Sequence, residues 1–396
     1  MKIYIVGTGM EGGKTLTAEA KNAIESADIL IGAKRMTEPF AAGGKRLYEC
    51  WKAEEICGLL DSCGCESAAV LMSGDCGFFS GAEKLSAMLK NHDVRIISGI
   101  SSPAYFCSKL GLTWQDMRFV SLHGTDGNIV RYVRRYGKCF FLLGGSITPR
   151  DICGRLSEYE TGDVTVHIGS RLAYPDERII SGTVKELSNV RYDPLSVMII
   201  ENPAPEKCTR TGIPDREFIR GEVPMTKSEV RSVVASKLKV CYNDTVWDIG
   251  CGTGSVSVEC ALAAYEGTVY AVDKNKDAVG LTGMNARKFG CDNIRVLHGD
   301  ISVLLGELPV PDTVFIGGAS GRISGILDRA FSGGNRPDTV ITAVTLETLN
   351  EAVEALKNHG LSPEVTQISA VRTHTVGAHT MLDAQNPVFI IGGAAV

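Results

Sequence analysis

Short runs of apolar residues alternate along the chain with longer stretches in which apolar residues recur at helical spacing. The short runs predict buried strands, and the longer stretches predict amphipathic helices. Beside the glycine-rich stretch described below, strands are predicted at residues 3–6, 28–32, 68–72, 94–97, 118–122, 139–143, 164–170, 196–200, 268–272, 294–297, 313–316, 339–344, 365–371 and 388–391. Helices follow most of them, which is typical of α/β domains built on parallel sheets. No helix is predicted between the last two strands, so we expect an antiparallel edge on the final sheet.

One segment in the middle of the chain lacks this periodicity. Residues 203–223 hold prolines at positions 203, 205 and 214, and Pro224 follows directly. Clustered prolines interrupt helices and strands, so the composition predicts a linker. The 396 residues are therefore expected to form one domain at 1–202 and another at 224–396.

The most informative stretch of the second half is Val-Trp-Asp-Ile-Gly-Cys-Gly-Thr-Gly at residues 246–254. It predicts a strand that runs into a glycine-rich turn, and residues 255–264 continue with the apolar stripe of a helix. Such a unit brings backbone N–H groups and a helix N-terminus close to a bound ligand. The turn residues expected to contact a cofactor are Gly250, Cys251, Gly252, Thr253 and Gly254.

Acidic residues around this turn indicate which ligand it binds. Asp273 ends the next predicted strand, where a carboxylate suits the hydroxyls of a ribose, and this alone fits NAD or S-adenosylmethionine. Asp248 precedes the first glycine, where it would repel a pyrophosphate but would suit the cationic end of S-adenosylmethionine. Asp300 and Ile301 follow a third strand, where an acid can receive the adenine amino group. The pattern resembles the class I methyltransferases, whose sheet is Rossmann-like.

The first glycine motif of the chain, Gly7-x-Gly9-x-x-Gly12, matches the dinucleotide-binding fingerprint in its letters. Its context does not match, because Lys34 and Arg35 follow the second predicted strand, where a ribose-binding acid should stand. We therefore expect no dinucleotide there.

Residues 1–202 resemble the tetrapyrrole methylase family instead. The segments that carry the likeness are VGTG at 6–9 with LT at 16–17, ADILIG at 27–32, MSGDC at 72–76 and GISS at 99–102. In that family S-adenosylmethionine lies in a cleft between two small α/β subdomains, expected here at about 1–112 and 113–202. The resemblance implies an N-terminal cofactor site that includes Gly74, Asp75, Ser101 and Ser102.

Two residues of these segments depart from the family pattern. Cys76 and Ser98 stand where the family usually has proline, which could alter the stiffness of both loops. Ser102 is a natural N-cap for the next helix, with Pro103 at its first position.

The second half is similar to the decarboxylating precorrin methyltransferases. The segments that carry the likeness are PMTKSEVR at 224–231, FIGGA at 315–319 and NPVF at 386–389, and GIPDREF at 212–218 looks like the first domain of the same pathway. The resemblance adds Thr226 to the C-terminal cofactor site. Joined in this order, the halves resemble a fused corrin-pathway enzyme with two S-adenosylmethionine sites. The implied activities are methylation of carbons 5 and 15 of a precorrin and decarboxylation of the acetate on carbon 12.

Such a substrate carries several carboxylates, so each half needs cations near its cleft. In the C-terminal half Arg322 and Arg372 could bind carboxylates in bidentate fashion, and His374 could transfer a proton near neutral pH. We single out Arg322 and His374 as catalytic candidates and Arg372 as a substrate-binding one. Further substrate-binding candidates lie at strand ends of the N-terminal half and are Lys34, Arg35 and His123.

Composition limits the remaining function classes. A net charge of −5 argues against a general nucleic-acid binder, and no apolar run approaches the length of a membrane span. The chain begins directly with a predicted strand, so we expect a cytoplasmic protein without a secretory signal. The 13 cysteines mostly lie in apolar runs, which favours buried thiols over a metal site or a disulfide framework. Family resemblance implies a homo-oligomer.

Two other functions fit the same residues. Only the C-terminal half could be active, on tRNA or another small molecule, although a tRNA enzyme should present a basic face. Alternatively, both halves could bind ligands without turnover, as a sensing or assembly scaffold.

Overall fold

A computed structural model describes residues 1–11, 13–123, 127–145, 147–207, 211–318, 321–334 and 336–395. Gly12 of the first glycine motif and Ala319 of the FIGGA segment lie outside these ranges. Contacts between Cα atoms divide the chain into two compact units. Unit 1 comprises 1–126, 137–154 and 163–203, and unit 2 comprises 127–136, 155–162 and 204–396.

The first sheet of unit 1 is parallel and has the strand order β3-β2-β4-β1-β5. Its strands are β1 (Lys2–Gly7), β2 (Ile29–Gly32), β3 (Arg46–Glu49), β4 (Ser67–Met72) and β5 (Asp93–Ile97). The helices that accompany them are α1 (Ala18–Ser26), α2 (Lys34–Thr37), α3 (Ala53–Ser62), α4 (Ala82–Met88) and α5 (Ser102–Leu110). Strand β2 is buried along its whole length, as expected for a strand covered on both faces.

The second sheet of unit 1 is mixed and has the order β6-β7-β10-β8-β9. Its strands are β6 (Arg118–Ser121), β7 (Lys138–Leu142), β8 (Thr165–Ser170), β9 (Arg178–Thr183) and β10 (Ser196–Glu201). The β6–β7 pair is parallel, and the other pairs are antiparallel. The helices of this part of the chain are α6 (Ile129–Arg135), α7 (Pro149–Glu158) and α8 (Val184–Leu187).

Unit 2 contains a seven-stranded sheet with the order β13-β12-β11-β14-β15-β19-β16. Its strands are β11 (Thr245–Ile249), β12 (Thr268–Asp273), β13 (Ile294–His298), β14 (Thr313–Ile316), β15 (Asp338–Ala343), β16 (Leu361–Ile368) and β19 (Val388–Ala395). The helices are α9 (Ser228–Leu238), α10 (Ser255–Ala263), α11 (Lys276–Lys288), α12 (Ile301–Leu304), α13 (Ile323–Ala330) and α14 (Leu346–Asn358). Only the pairs that involve β19 are antiparallel among the described strands of this sheet. The predicted parallel sheet with an antiparallel edge is thus confirmed.

The structure adds a hairpin that the sequence pattern did not predict. Strands β17 (Val371–Val376) and β18 (His379–Ala384) pair only with each other in the part of the chain that the structure describes, and most of their residues are exposed. The predicted strand at 365–371 therefore ends earlier, as β16, because the chain leaves the sheet at this point.

The second part of the predicted linker packs as part of unit 2 rather than as a free connection. Ile213 and Phe218 are buried in the same apolar cluster as Val234 of α9 and Val258 of α10. A 3₁₀ turn at Asp215–Glu217 carries the chain between them. The proline content thus predicted that this segment is irregular, but it gave no indication that part of the segment is buried.

Most of the described free cysteines are buried, as predicted. The exceptions among them are Cys57, which is half-buried, and Cys241, which is exposed. Cys63 and Cys65 are not free, because a disulfide joins them between α3 and β4. Among the described residues no cluster of three or more His, Cys, Asp or Glu side chains is arranged to hold a metal ion. None of the described helices is long and apolar enough to cross a membrane.

Candidate functional site

A cavity of about 590 Å³ opens at the carboxyl ends of the parallel strands of unit 2. The chain moves from β11 to β12 and β13 on one side and then returns to β14 on the other. Ligands of open α/β sheets bind where the strand order reverses in this way. Of the ten predicted C-terminal cofactor residues, those that line the cavity are Thr226, Gly250, Cys251, Gly252, Asp273 and Ile301.

The glycine turn and the acid of β12 are fixed against each other. Asp273 accepts hydrogen bonds from the Gly252 N–H at 3.0 Å and from the Asn275 N–H at 2.9 Å. The carboxylate therefore faces the cavity in a defined orientation while it holds the turn. This is the arrangement that the sequence predicted for a ribose-binding acid.

Gly252 also makes room for the segment that precedes α9. Its φ is +56°, and a Cβ at this position would lie 2.7 Å from the Pro224 carbonyl oxygen. Residues 223–227 can therefore pass directly over the turn, and all five line the cavity. A side chain at position 252 would push this segment away.

A buried ionic network holds this segment in place. The fully buried Arg231 forms ion pairs with Glu259 at 2.6 Å and with Asp215 at 3.3 Å. Its guanidinium also donates to the Thr226 carbonyl at 2.6 Å and to the Ile213 carbonyl. The carboxylate of Glu259 in turn accepts from the N–H groups of Gly212 and Ile213. Residues 223–227 form the roof of the cavity. Arg231 thus links this roof and the chain that precedes it to helix α10.

Asp248 lies beneath the turn and not in the cavity. Its side chain is fully buried and accepts a hydrogen bond from the Ser257 hydroxyl. Burial raises the pKa of this carboxyl to about 7, and its Oδ1 accepts no hydrogen bond from the described part of the chain. Asp248 is not among the residues that line the cavity, so the expectation that it suits the cationic end of a ligand gains no support from its position.

Two further predicted cofactor residues, Thr253 and Gly254, lie next to the cavity. The Thr253 side chain is fully buried, and its carbonyl accepts from the Asn285 amide at 2.8 Å. Gly254 is the N-cap residue of α10 and lies against Thr282 of α11. Both positions shape the turn through packing and are not among the residues that line the cavity.

Asp300 is paired with Arg322. The two side chains form a bidentate pair with N–O distances of 3.0 and 2.9 Å, and Asp300 also accepts from the Ser302 N–H at 2.9 Å. The Ser302 N–H and, less strongly, Arg322 hold the pKa of Asp300 below its usual range. Arg322 lines the cavity and Gly299 and Ile301 flank Asp300 there. The arginine fork predicted for a substrate carboxylate is therefore occupied by a carboxylate of this chain.

The other two cationic candidates lie on the hairpin. Arg372 contacts Asp215 at 2.8 Å, and it also pairs with Glu229 and bonds to Ser228. His374 is exposed opposite Met381. Neither belongs to the residues that line the cavity, so the predicted substrate-binding role of Arg372 and catalytic role of His374 gain no support from their positions. The pattern did not reveal the hairpin that carries both residues away from the sheet.

Two lysines that were not predicted do line the cavity. Lys227 is the N-cap residue of α9, and Lys274 directly follows Asp273. Lys227 belongs to the family-like segment PMTKSEVR, from which the resemblance adds only Thr226 to the predicted site.

At the predicted N-terminal site, glycines from three loops of unit 1 are in close backbone contact. Gly9 and Gly74 exchange backbone hydrogen bonds at 3.0 and 2.7 Å. A Cβ at Gly99 would lie 2.3 Å from the Gly74 carbonyl oxygen and 2.6 Å from that of Gly7. Three loops at the carboxyl ends of β1, β4 and β5 can therefore touch through backbone alone. Gly7 and Gly9 of the first glycine motif thus serve loop packing.

Asp75 fixes this loop meeting. Its carboxylate accepts from the Gly99 N–H at 2.9 Å and from the Gly77 N–H at 2.8 Å. Cys76, in the place of the family proline, is buried, and burial raises the pKa of its thiol to about 11. The prediction that Ser102 caps α5 is wrong, because Ser101 is the N-cap and the helix begins at Ser102.

The three basic candidates of the N-terminal half are exposed. Lys34 and Arg35 lie on the single turn of α2. The ring of His123 lies over Gly144, where an added Cβ would come within 2.4 Å of the imidazole. Their role in substrate binding stays a prediction.

Both halves of the chain match family models. Residues 2–188 match the tetrapyrrole (corrin/porphyrin) methylases, and residues 196–392 match the precorrin methyltransferase domain. A probable cobalt-precorrin-6B C(15)-methyltransferase (decarboxylating) from Pyrobaculum calidifontis is 48% identical over 183 residues, which cover 46% of this chain and 94% of that protein.

A longer relative and a solved structure are also similar to this chain. A precorrin-6Y C(5,15)-methyltransferase [decarboxylating] from Sinorhizobium sp is 27% identical over 397 aligned positions, covering 98% of this chain and 94% of the relative. A crystal structure described as precorrin-6y C5,15-methyltransferase from Geobacter metallireducens is 36% identical and covers 47% of this chain and 96% of that one, with a TM-score of 0.44.

Proposed function

Since the chain belongs to the precorrin methyltransferase family and carries a tetrapyrrole methylase half before that domain, we propose that it is a bifunctional S-adenosylmethionine-dependent C-methyltransferase of cobalamin biosynthesis. It methylates carbons 5 and 15 of precorrin-6Y or its cobalt form and decarboxylates the acetate on carbon 12. The observation that carries this proposal is the order of the two family matches along the chain. The Sinorhizobium relative supports it, because it aligns with 98% of this chain.

The two activities divide between the two halves. The Pyrobaculum relative, named for C(15) methylation and decarboxylation, corresponds to only 46% of this chain. We assign both of these activities to the precorrin methyltransferase half and methylation of carbon 5 to the tetrapyrrole methylase half.

The cavity of unit 2 fits S-adenosylmethionine. Asp273 faces it at the end of β12, Gly250 and Gly252 offer backbone without side-chain bulk, and Ile301 lines it after β13. These features suit a ribose, a methionine chain and an adenine in turn. Bound there, S-adenosylmethionine supplies an activated methyl group. The chain's own residues orient the ligands and exclude water, which requires no nucleophilic side chain.

A second S-adenosylmethionine site lies at the glycine loops of unit 1. Gly74 and Asp75 form one loop there, and Ser101 is the N-cap residue of α5, the helix that follows another loop and begins at Ser102. The substrate is a tetrapyrrole with several carboxylates, and the protein acts in the cytoplasm as a homo-oligomer without a nucleic-acid partner.

Mass spectrometry of the products tests the proposal. The intact protein, incubated with S-adenosylmethionine and precorrin-6Y or its cobalt form, is expected to yield a product with two added methyl groups and one lost CO₂. Asp273→Ala is expected to add one methyl group and keep the CO₂, because only the C-terminal cofactor site loses its acid. Asp277→Ala, an exposed acid in the first turn of α11, is the matched control.

Calorimetry with S-adenosylhomocysteine separates binding from turnover. Two sites per chain are expected in the intact protein and one in Asp273→Ala. Binding without any change in mass of either tetrapyrrole would refute the proposed reaction and favour a non-catalytic scaffold. A gel shift with tRNA would favour a tRNA methyltransferase.

A further inference from the structure

The cations that line the cavity of unit 2 differ in whether they already have a partner. Within the described residues they are Arg322, Lys274 and Lys227. Arg322 is neutralised by its bidentate pair with Asp300. Lys274 is exposed to solvent beside Asp273. Lys227 is half-buried and has no ion pair within 4 Å among the described residues. Among these three cations Lys227 is therefore the one that is withdrawn from solvent without a direct ion pair.

The surroundings of Lys227 make the lack of an ion pair for its ammonium group unfavourable. Burial, followed by the like charge of Arg220, lowers the pKa of the ammonium; Asp215 and Glu229 oppose this shift in part, and Arg372 adds to it. The acids nearby are Asp215 and Glu229, but both are engaged by Arg372. A half-buried ammonium between like charges gains from an anion supplied by a ligand.

The ligands of the proposed function carry such an anion. Residues 223–227 pass over the glycine turn, so Lys227 belongs to the roof of the cavity. In the proposed function the ribose of the cofactor lies at Asp273 and its adenine near Ile301, both of which line the cavity. The anions that remain are the carboxylate at the methionine end of the cofactor and the carboxylates of the tetrapyrrole.

We propose that Lys227 is the carboxylate-binding residue of this cavity. The inference rests on the proposed function, since both sources of the carboxylate follow from it. It assigns the roof segment a direct role in binding in addition to its packing on Gly252. Lys227 is a binding residue and takes part in no proton transfer.

Two probes distinguish the sources of the carboxylate. S-adenosylhomocysteine carries the amino-acid end of the cofactor, whereas 5′-methylthioadenosine lacks it. Their dissociation constants at the C-terminal site are measured by calorimetry on the full chain in Lys227→Met, in Lys227→Arg and in the control Lys276→Met. Lys276 is an exposed lysine at the start of α11 outside the cavity lining. The KM and kcat for precorrin-6Y are measured on the same proteins.

A contact with the cofactor predicts that Lys227→Met weakens S-adenosylhomocysteine binding by about 10- to 100-fold, the usual loss for one charged hydrogen bond. Binding of 5′-methylthioadenosine then stays unchanged, and Lys227→Arg restores most of the affinity. A contact with the tetrapyrrole instead leaves both nucleoside affinities unchanged and raises KM by a similar factor with little change in kcat.

The proposal is overturned if Lys227→Met alters neither S-adenosylhomocysteine affinity nor the KM for the tetrapyrrole. It is also overturned if both nucleosides lose affinity equally, because that result indicates a displaced roof and not a lost carboxylate contact. Failure of the proposed function is recognised separately, since the unsubstituted protein would then give no methylated and decarboxylated product from precorrin-6Y, whether or not it binds S-adenosylhomocysteine.

Discussion

Arg231 offers the sharpest test of how the cofactor cavity is held together. Arg231→Met keeps much of the side-chain volume but removes the charge that faces Glu259 and Asp215. It also removes the donor to the Thr226 carbonyl, so the roof of the cavity loses its anchor to α10. We expect this substitution to lower both the stability of unit 2 and its affinity for S-adenosylhomocysteine.

The magnitude follows from burial. The side chains of Arg231 and Glu259 are 0% and 1% exposed, so the substitution leaves a carboxylate that water cannot reach. Loss of one partner of a buried ion pair costs about 3–5 kcal/mol. Glu259 keeps the N–H groups of Gly212 and Ile213 at 3.1 and 3.0 Å, which favours the lower end of that range.

Tryptophan fluorescence during urea unfolding measures this loss in unit 2. Of the three tryptophans in the sequence, Trp247 on β11 is fully buried, whereas Trp51 and Trp114 are 70% and 50% exposed. The shift of the emission maximum on unfolding therefore reports mainly on the sheet that carries the cavity. The free energy of unfolding is extrapolated to zero urea for each variant.

The control lies on the same helix. Lys237 pairs with Glu364 at 2.7 Å, but that carboxylate is 68% exposed, so Lys237→Met should cost less than about 1 kcal/mol. A double-mutant cycle with Glu259→Gln should show a coupling of about 1–3 kcal/mol between Arg231 and Glu259. The reasoning is refuted if Arg231→Met costs no more than Lys237→Met, or if the two substitutions in the cycle are additive.

Two further predictions concern acids near the cavity. Burial raises the pKa of Asp248 to about 7, so the folded protein binds this proton more tightly than the unfolded chain does. The stability it contributes is full below about pH 4 and is lost as the pH rises through 7. Asp248→Asn should remove this loss of stability, which thermal unfolding of both proteins between about pH 4 and 8 measures. The assignment is contradicted if the unfolding temperature depends on pH equally in the variant and in the unsubstituted protein. Arg322→Met should weaken S-adenosylhomocysteine binding severalfold, because Asp300 loses its bidentate partner, while the KM for the tetrapyrrole stays nearly constant. A raised KM with unchanged nucleoside affinity would instead assign Arg322 to the substrate.

The positions of the cavity residues were largely predictable because they depend on local pattern. A strand, a glycine turn and a helix at 246–264 fix where the turn lies, and the end of β12 fixes Asp273. Parallel strands place their carboxyl ends at one edge of the sheet, so Ile301 after β13 joins the same cavity.

Side-chain partners were not predictable in the same way. Asp248 and Asp273 both end or nearly end a strand, but only the three-dimensional packing puts one on Ser257 and the other on Gly252. The pair of Arg322 with Asp300 joins residues 22 positions apart. Sequence spacing gives no signal for such a contact, and either residue is equally plausible as a ligand contact when considered alone.

The hairpin and the buried connection were missed because they depend on tertiary context. The alternating pattern at 371–384 is compatible with an edge strand of the main sheet, yet β17 and β18 pair with each other. Ile213 and Phe218 stand in a proline-rich stretch with no periodicity, so nothing local indicates that both are buried.

The buried network at Arg231 restricts how this protein can be dissected. Anyone who excises the C-terminal half at the first family-like residue, Pro224, would discard Gly212, Ile213 and Asp215, which supply the partners of Glu259 and Arg231. Such a fragment would retain every strand of the sheet, but the buried Arg231 and Glu259 would lose part of their hydrogen-bond and ion-pair partners. An autonomous fragment has to begin upstream of Gly212, so the boundary for gene truncation or domain grafting lies well before the first strand that the fragment is meant to preserve.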